Sequence, residues 1–248
     1  MIKLMSHLVA GYPTDELAFT AAKALVAGGA NILEIQLPFS DPSADGPAIQ
    51  TACTEVLSGK YRTQDGLNFI ARLHKEFPQI PIYIMSYGSL IYTPGVKTFC
   101  KKAAECGVKG MIIPDLPFDC DEGLTEACKE NGMENIPVAA PSMSADRLDK
   151  MAHAGFKYIY AALRTGITGQ DTKIDDETIN FIKKVGEGGS KIYGGFGISN
   201  GKQAAEIANY VEAVVAGSVF VRIISENQND KDKLYNAVKA KAEEITHS

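Results

Sequence analysis

The sequence LMSHLVAGYPTDELAFTAAKALVAGGANILEIQL, residues 4–37, contains two kinds of local pattern in alternation. Leu4–Ala10 and Ile32–Leu37 are short, mostly apolar runs of the kind that form buried parallel strands. Asp15–Ala27, between them, places apolar residues at helical spacing and follows Thr14, a residue type that caps helix N-termini. The segment therefore predicts a strand–helix–strand unit.

The same alternation continues to the end of the chain. We predict eight strands, at Leu4–Ala10, Ile32–Leu37, Ile80–Met85, Gly110–Asp115, Ile136–Ala140, Tyr158–Leu163, Lys191–Gly195 and Ala213–Gly217. We predict the main helices at Asp15–Ala27, Leu67–His74, Val96–Cys106, Gly123–Asn131, Arg147–Ala154, Asp176–Val185, Lys202–Asn209 and Asp230–Glu244. Eight such units in 248 residues are typical of an α/β protein with the (β/α)8 TIM barrel fold.

We expect one domain, residues 1–248, because the chain shows no linker, low-complexity segment or break in composition. An open doubly wound sheet is the alternative fold, but the turn after the first strand, Gly11–Thr14, is not the glycine-rich G-x-G-x-x-G turn. The long segment 41–59 predicts an extra helix after strand 2, from about Pro47 to Leu57. Insertions of this kind enlarge the catalytic face of a barrel.

The composition excludes several classes of protein. Hydrophobic residues make up 45% of the chain and charged residues 22%, which are ordinary values for a globular protein. The net charge of −5 comes without a basic cluster, so nucleic-acid binding is not expected. Apolar runs have only strand length, so no membrane span is expected. Five cysteines without a C-x-x-C pair indicate free thiols in a reducing cytoplasm.

Polar residues on strand 2 are informative because the catalytic groups of a barrel lie at the carboxyl ends of its strands. Aliphatic and polar residues alternate there, so Glu34 and Gln36 share one face and Glu34 is expected to point into the barrel. A dry interior raises the pKa of a carboxylic acid and makes it a candidate acid or base. The alternative is a structural ion pair with a lysine or arginine.

The loop after strand 2 carries two further carboxylates, Asp41 and Asp45. Asp41 precedes Pro42 and suits a turn or a helix cap, whereas Asp45 is a candidate to point over the mouth of the barrel. Two carboxylates in different environments suit a reaction with two separate proton transfers. Glu34 and Asp45 are therefore the candidate catalytic residues.

Glycines follow both of the last two predicted strands, in Gly194-Gly195-Phe196-Gly197 and in Ala216-Gly217-Ser218. Loops at these positions form the usual phosphate site of a barrel, where backbone N–H groups converge at a helix N-terminus. The alternative is a pair of tight turns that merely close the barrel. This pattern predicts a phosphorylated substrate.

The connection after strand 6, Arg164–Asp171, contains two glycines and two threonines. This composition is typical of a lid that excludes water, and an ordinary surface loop is the alternative. Tyr160, within strand 6, either lines the pocket or fills the core.

Motifs of one family occur in order along nearly the whole chain. The most specific are Leu33-Glu34-Ile35, Pro38-Phe39-Ser40-Asp41-Pro42, Ala44-Asp45-Gly46-Pro47 and Ile49-Gln50. Others are Ala10-Gly11-Tyr12-Pro13, Ile113-Pro114-Asp115-Leu116-Pro117, Arg164-Thr165-Gly166-Ile167-Thr168-Gly169, Gly195-Phe196-Gly197-Ile198 and Ala216-Gly217-Ser218. Through these motifs the chain resembles the tryptophan synthase alpha subunit family.

The resemblance implies a lyase of tryptophan biosynthesis that cleaves indole-3-glycerol phosphate into indole and glyceraldehyde 3-phosphate by a retro-aldol reaction. It implies that Glu34 serves the proton transfers and that Asp45 holds the indole N–H. The substrate-binding residues it implies are Tyr160 at the glycerol portion, Phe196 at the indole, and Gly169, Gly197, Gly217 and Ser218 at the phosphate.

The resemblance also bears on cofactors and partners. It implies no metal and no cofactor in this chain, because the pyridoxal phosphate of the complex belongs to the beta subunit. Two alpha and two beta subunits are expected to form a heterotetramer, the alpha–beta–beta–alpha complex. The beta subunit is expected to receive indole through a tunnel. The implied location is the cytoplasm.

The chain departs from the family pattern around the expected pocket. The replacements are Gln36 for a glycine, Ser43 for a large aliphatic residue, His7 for an aromatic residue, Ser89 for an asparagine and Tyr12 for an acidic residue. Gln36 is expected to crowd the pocket or to hydrogen-bond Glu34. Because strand 1 begins almost at Met1, we also expect the family's N-terminal helix to be absent.

Two other functions stay open at this point. One is a free-standing or diverged barrel enzyme that acts on another sugar phosphate. The other is a non-catalytic activator of the beta subunit. Indole release from indole-3-glycerol phosphate, with and without a beta subunit, separates these functions from the lyase.

Overall fold

The computed structural model describes residues 1–163, 174–195 and 197–248 of the chain. The described elements are β1 (Leu4–Val9), α1 (Asp15–Ala27), β2 (Ile32–Gln36), α2 (Pro47–Ser58), α3 (Thr63–Glu76), β3 (Ile82–Met85), α4 (Gly88–Tyr92), α5 (Val96–Glu105), β4 (Val108–Ile112), α6 (Leu124–Glu130), β5 (Glu134–Asn135), β6 (Val138–Ala139), α7 (Ala145–Ala152), β7 (Tyr158–Ala162), α8 (Asp176–Val185), β8 (Lys191–Gly195), α9 (Gly201–Ile207), β9 (Ala213–Ala216), α10 (Ser218–Asn227) and α11 (Lys231–Thr246). None of these described helices is long and apolar enough to cross a membrane.

The described strands pair in parallel and form one curled sheet, in the order β5-β4-β3-β2-β1-β9-β8-β7-β6. Its two edge strands, β5 and β6, are consecutive in the chain, and Ile136 and Pro137 join them. The amide of Ile136 donates to the carbonyl of Met111 in β4, and the carbonyl of Pro137 accepts from the amide of Tyr160 in β7, both at 2.9 Å. These bonds link the edges into a barrel, and the predicted α/β barrel fold is confirmed.

The predicted fifth strand, Ile136–Ala140, differs from the structure. It is replaced by the two-residue strands β5 and β6, which pair with β4 and β7 respectively. Pro137 lies between them and has no N–H group to donate to a sheet ladder. Two short strands therefore lie on either side of Ile136 and Pro137, and only β6 lies within the predicted bounds.

The extra helix predicted after strand 2 is confirmed as α2. It begins at Pro47, as predicted, and ends at Ser58. Proline suits the first position of a helix because its missing N–H would have no partner in the helix there. The short helix α4 was not expected from the sequence, since five residues are too few to show a helical period.

Tyrosine side chains fill part of the barrel interior. The hydroxyl oxygens of Tyr83 and Tyr193 lie 3.0 Å apart, and the rings of Tyr158 and Tyr193 stack with centroids 4.9 Å apart. This inner cluster is separate from the larger apolar cluster that contains Leu33 and Ile35. Alternate residues of the strands thus contribute to two different cores.

The inner cluster gives a prediction about stability. We expect Tyr193→Ala to lower the free energy of unfolding by about 3–5 kcal/mol, because it removes a fully buried ring and leaves the Tyr83 hydroxyl without its bond. Urea unfolding measures this loss. Tyr210→Ala is the control, since Tyr210 is 42% exposed, and we expect a change within about 0.5 kcal/mol. Equal losses in the two variants would contradict the prediction.

Candidate active site

The pairing of β1 with β2 brings two ionisable side chains together inside the barrel. His7 is the register partner of Glu34, and His7 Nδ1 lies 3.0 Å from Glu34 Oε1. The two residues are 4% and 3% exposed. The structure therefore places Glu34 in the interior, as the alternation of strand 2 predicts.

Burial and the neighbouring carboxylate act on the imidazole in opposite directions. Burial alone lowers the pKa of His7, but the charge and hydrogen bond of Glu34 act against it, with smaller contributions from Asp45 and from the side chain of Gln36. The pKa of His7 is therefore raised above its usual value. His7 Nε2 and Glu34 Oε2 are buried and have no hydrogen-bond partner within the described parts of the chain, so both atoms are suited to bind a ligand.

Asp45 lies in the loop between β2 and α2 and is 3% exposed. Its Oδ2 accepts hydrogen bonds from Gln36 Nε2 at 2.8 Å and from the Tyr87 hydroxyl at 2.7 Å. Burial raises the pKa of Asp45 above its usual value, although His7, Tyr87 and Gln36 act in the opposite direction. The two candidate carboxylates thus have different neighbours, one an imidazole and the other neutral donors.

Gln36 binds a different carboxylate from the expected one. The sequence suggests that it crowds the pocket or hydrogen-bonds Glu34, but its amide nitrogen donates to Asp45. The same nitrogen lies 3.6 Å from Cys53 Sγ in α2. Gln36 is two residues nearer the mouth of the barrel than Glu34, and the loop that carries Asp45 folds over that mouth.

A partly enclosed cavity opens beside these groups, at the end of the barrel where the active sites of this fold lie. Six of the predicted site residues line it: Glu34, Asp45, Tyr160, Gly197, Gly217 and Ser218. Apolar side chains complete its wall: Ile49, Met85, Ile112, Pro114, Val138 and Val215. The predicted site residues Gly169 and Phe196 and the predicted lid Arg164–Asp171 lie outside the described residues.

The loops after β8 and β9 contribute the part of the cavity wall that suits an anion. Gly217 precedes α10, so the positive N-terminal end of this ten-residue helix lies at the cavity. A Cβ atom on Gly217 would lie 3.2 Å from His7 Cβ. Gly197 has a φ of 92°, in the region that favours glycine. A phosphate group fits such a wall.

Tyr160 contributes a buried hydroxyl from β7. Burial, together with the charges of Glu34 and Asp45, raises the pKa of Tyr160 well above its usual value. The hydroxyl therefore stays neutral. Its position requires glycine at 195, because a Cβ atom there would lie 2.7 Å from the Tyr160 hydroxyl oxygen.

The sequence analysis places His7 near the expected pocket, but it does not identify His7 as the partner of Glu34, and it misses Tyr87 altogether. His7 is two residues from Met5 in β1, so both side chains lie on the face of the strand that points into the barrel. This alternation could have identified His7 as a neighbour of Glu34. Tyr87 is 42 residues from Asp45 in the chain. No local pattern connects those two residues.

Comparison with known proteins identifies the family of the chain. A sequence model described as "Tryptophan synthase alpha chain" matches residues 2–248. The chain belongs to the tryptophan synthase alpha chain family. It is 38% identical over 230 residues to the tryptophan synthase alpha chain of Helicobacter hepaticus, covering 90% of this chain and 86% of that relative. It is 37% identical over 240 residues to the protein of the same name from Aquifex aeolicus, covering 95% and 90%.

Solved structures of tryptophan synthase have the same fold. The similarity to tryptophan synthase of Mycobacterium tuberculosis has a TM-score of 0.87 at 28% identity and covers 99% of this chain and 93% of that one. The similarity to the tryptophan synthase complex of Pyrococcus furiosus has a TM-score of 0.87 at 26% identity and covers both chains completely. Members of the tryptophan synthase alpha chain family are lyase subunits that cleave indole-3-glycerol phosphate.

Two departures of this tryptophan synthase alpha family member from the common pattern lie inside the site. His7 and Gln36 each bind one of the two buried carboxylates, Glu34 and Asp45 respectively. The departures at Ser43 and Ser89 lie on exposed residues. The first two therefore bear directly on the chemistry of the cavity.

The raised pKa of Asp45 predicts a pH-dependent stability. A buried acid with a raised pKa favours the folded state below its usual pKa and loses that contribution as the pH rises through the raised value. We expect Asp45→Asn to have a higher free energy of unfolding than the natural chain at pH 7, and the difference to shrink toward pH 4. Urea unfolding at both pH values measures this.

The matched control is Asp41→Asn, because Asp41 is an exposed residue of the same loop. We expect its effect to stay within about 0.5 kcal/mol at both pH values. An Asp45→Asn variant whose relative stability is greatest at pH 4 would contradict the prediction.

Proposed function

We propose that this chain cleaves indole-3-glycerol phosphate by a retro-aldol reaction into indole and glyceraldehyde 3-phosphate, as the alpha subunit of tryptophan synthase. The observation that carries the proposal is the position of Glu34. This carboxylate lies inside the barrel, in a cavity that also contains Asp45 and the N-terminal end of α10. The family assignment supports the same reaction.

The reaction needs two proton transfers. Protonation of indole C3 turns the ring into an electron sink, and the glycerol hydroxyl loses a proton as it becomes an aldehyde. The electron pair of the broken carbon–carbon bond returns to the ring. Glu34 is the group we propose to serve these transfers, since it is a buried carboxylate with an oxygen, Oε2, that no described residue binds.

Asp45 and Tyr160 are proposed to orient the substrate. Asp45 would accept a hydrogen bond from the indole N–H and stabilise the positive charge that develops on the ring. Its buried position strengthens such an interaction, because little water competes for the carboxylate. The neutral hydroxyl of Tyr160 would contact the glycerol portion beside Glu34.

The phosphate is proposed to bind at Gly197, Gly217 and Ser218, with Gly169 completing the site and Phe196 contacting the indole. The helix N-terminus at Ser218 supports this end of the proposal. The substrate would therefore lie with its anionic end at α10 and its indole ring toward Asp45.

We also propose the partner and location of the chain. The beta subunit of tryptophan synthase is the proposed partner, in an alpha–beta–beta–alpha heterotetramer, and a solved relative from Pyrococcus furiosus is an α2β2 complex. Pyridoxal phosphate in this family belongs to the beta chain, and the acid–base chemistry proposed here uses side chains alone. The five free cysteines support a location in the cytoplasm.

A second candidate is a diverged barrel enzyme that acts on another sugar phosphate. It is favoured by His7 and Gln36, which add polar groups to the cavity region where the family usually has an aromatic residue and a glycine. The phosphate end of the cavity serves either reaction. Substrate preference separates the two candidates.

The first test is the release of indole from indole-3-glycerol phosphate, with and without the beta subunit. We expect the natural chain to release indole and Glu34→Gln to lower the rate by at least about 100-fold, the usual contribution of general acid–base catalysis. Circular dichroism checks that the variant keeps its fold.

Glu55→Gln is the matched control, because Glu55 is an exposed residue of α2 outside the cavity, and its rate should equal that of the natural chain. Full activity of Glu34→Gln would remove Glu34 from the mechanism. Activation of the beta subunit without any indole release would instead indicate a non-catalytic activator.

A second test concerns Gln36, which donates to the carboxylate proposed to hold the indole N–H. We expect Gln36→Gly to change indole release through KM more than through kcat, because the amide competes with the substrate for Asp45. Steady-state kinetics measure both constants. Gln36→Ala controls for the flexibility of glycine, and unchanged constants in both variants would show that Gln36 has no part in substrate binding.

A further inference from the structure

The buried contact between His7 and Glu34 adds a second titratable group to the proposed acid–base site. One carboxylate would have to act both as the acid toward indole C3 and as the base toward the glycerol hydroxyl. The structure places an imidazole nitrogen 3.0 Å from that carboxylate. Both residues line the same cavity.

The geometry favours one of these groups as the proton donor and the other as the proton acceptor. A carboxylate next to an imidazole stabilises the protonated form of that imidazole. An ionised carboxylate accepts a proton and does not donate one. An imidazolium is an acid that can donate at near-neutral pH. The acid role therefore suits His7 and the base role suits Glu34.

Each group also has a polar atom available for its role. Nδ1 of His7 and Oε1 of Glu34 are used in their mutual contact. Nε2 of His7 and Oε2 of Glu34 are buried and have no hydrogen-bond partner in the part of the chain that the structure describes. A buried polar atom without a partner costs free energy unless a ligand binds it.

The other titratable groups at the cavity do not replace His7 as the acid. Asp45 and Tyr160 share the cavity with the pair. Asp45 accepts two hydrogen bonds on one oxygen and is the group proposed to hold the indole N–H, and the high pKa of Tyr160 makes it a weak acid. From β9 and α10 the cavity wall near His7 presents Val215, Gly217 and Ser218, none of which is charged.

We propose that His7 is a second catalytic residue, which donates a proton to the indole ring while Glu34 accepts the proton of the glycerol hydroxyl. This inference rests on the proposed lyase function, and it gives to His7 the proton donation that the family role gives to Glu34. In the balanced step, Nε2 of the imidazolium protonates indole C3 and the imidazole becomes neutral. The carbon–carbon bond then breaks, its electron pair restores the indole ring, the aldehyde forms, and Glu34 takes up the hydroxyl proton.

The pair as a whole neither gains nor loses a proton during bond cleavage. After the products leave, Glu34 releases its proton to water and His7 takes one up. This assignment makes catalysis depend on a protonated imidazole. Activity should therefore decline as the pH rises through the pKa of His7, which the contact with Glu34 raises.

Steady-state indole release over a range of pH tests the assignment. We expect His7→Gln, which keeps a polar side chain but cannot titrate, to lower kcat by about 100-fold or more and to change KM by less than about threefold. We expect the decline of kcat/KM at high pH to disappear in this variant. His7→Phe, which restores the aromatic side chain common in the family, should also lose that decline.

His153→Gln is the matched control. His153 is an exposed histidine whose Nδ1 lies 3.6 Å from a carboxylate oxygen of Asp149, so it repeats the pairing outside the cavity. Its kinetics should equal those of the natural chain. A His7→Gln variant that keeps the natural kcat and pH profile would overturn the assignment of His7 and leave the proposed function intact.

A spectroscopic experiment tests the pair without measuring activity. NMR titration of the His7 imidazole should show a lower pKa in Glu34→Gln than in the natural chain, while the other three histidines keep theirs. An unchanged His7 pKa would overturn the coupling on which the assignment depends. If the natural chain releases no indole, alone or with the beta subunit, this result contradicts both the proposed function and the assignment of His7.

Discussion

The site depends on the removal of two ionisable side chains from water, side by side in one barrel. Taking a carboxylate and an imidazolium into a protein interior costs several kcal/mol per ion, and their attraction offsets this only when the geometry is good. The register of β1 with β2 supplies that geometry, because it makes His7 and Glu34 direct neighbours. A pair of apolar side chains would stabilise the barrel at least as well, so stability alone does not explain the contact.

Local pattern was sufficient to predict most of the barrel. The alternation in strand 2 separates Leu33 and Ile35, which pack in the outer core, from Glu34 on the inner face. The unusual length of the segment after strand 2 likewise predicted α2, which begins at Pro47. The fifth strand was the exception, because an apolar run shows where a strand can form and Pro137 decides which hydrogen bonds it can make. A helix of five residues, such as α4, is too short to show the helical spacing of apolar residues in the sequence.

The site was predictable only in part, for a physical reason. The backbone pattern determines where Glu34 and Gly217 lie, because each follows from one strand. Hydrogen-bond partners depend on contacts between elements distant in the chain, such as the bond from Tyr87 to Asp45. Gln36 shows the same limit, since the sequence led us to expect a bond to Glu34 and the amide donates to Asp45. The fold of the loop after β2 brings Asp45 to it.

The two departures from the family pattern give the two buried carboxylates different kinds of partner. Gln36 and Tyr87 offer neutral donors to Asp45, and burial raises the pKa of that acid. His7 offers Glu34 an ionisable partner beside Gly217 and the positive end of α10. The positive N-terminal end of α10 lies at the part of the wall that suits a phosphate, and the Asp45 carboxylate, proposed to accept from an N–H donor, lines the same cavity. A ligand with an anionic end and a ring that donates an N–H hydrogen bond would therefore be oriented by the cavity before any proton moves.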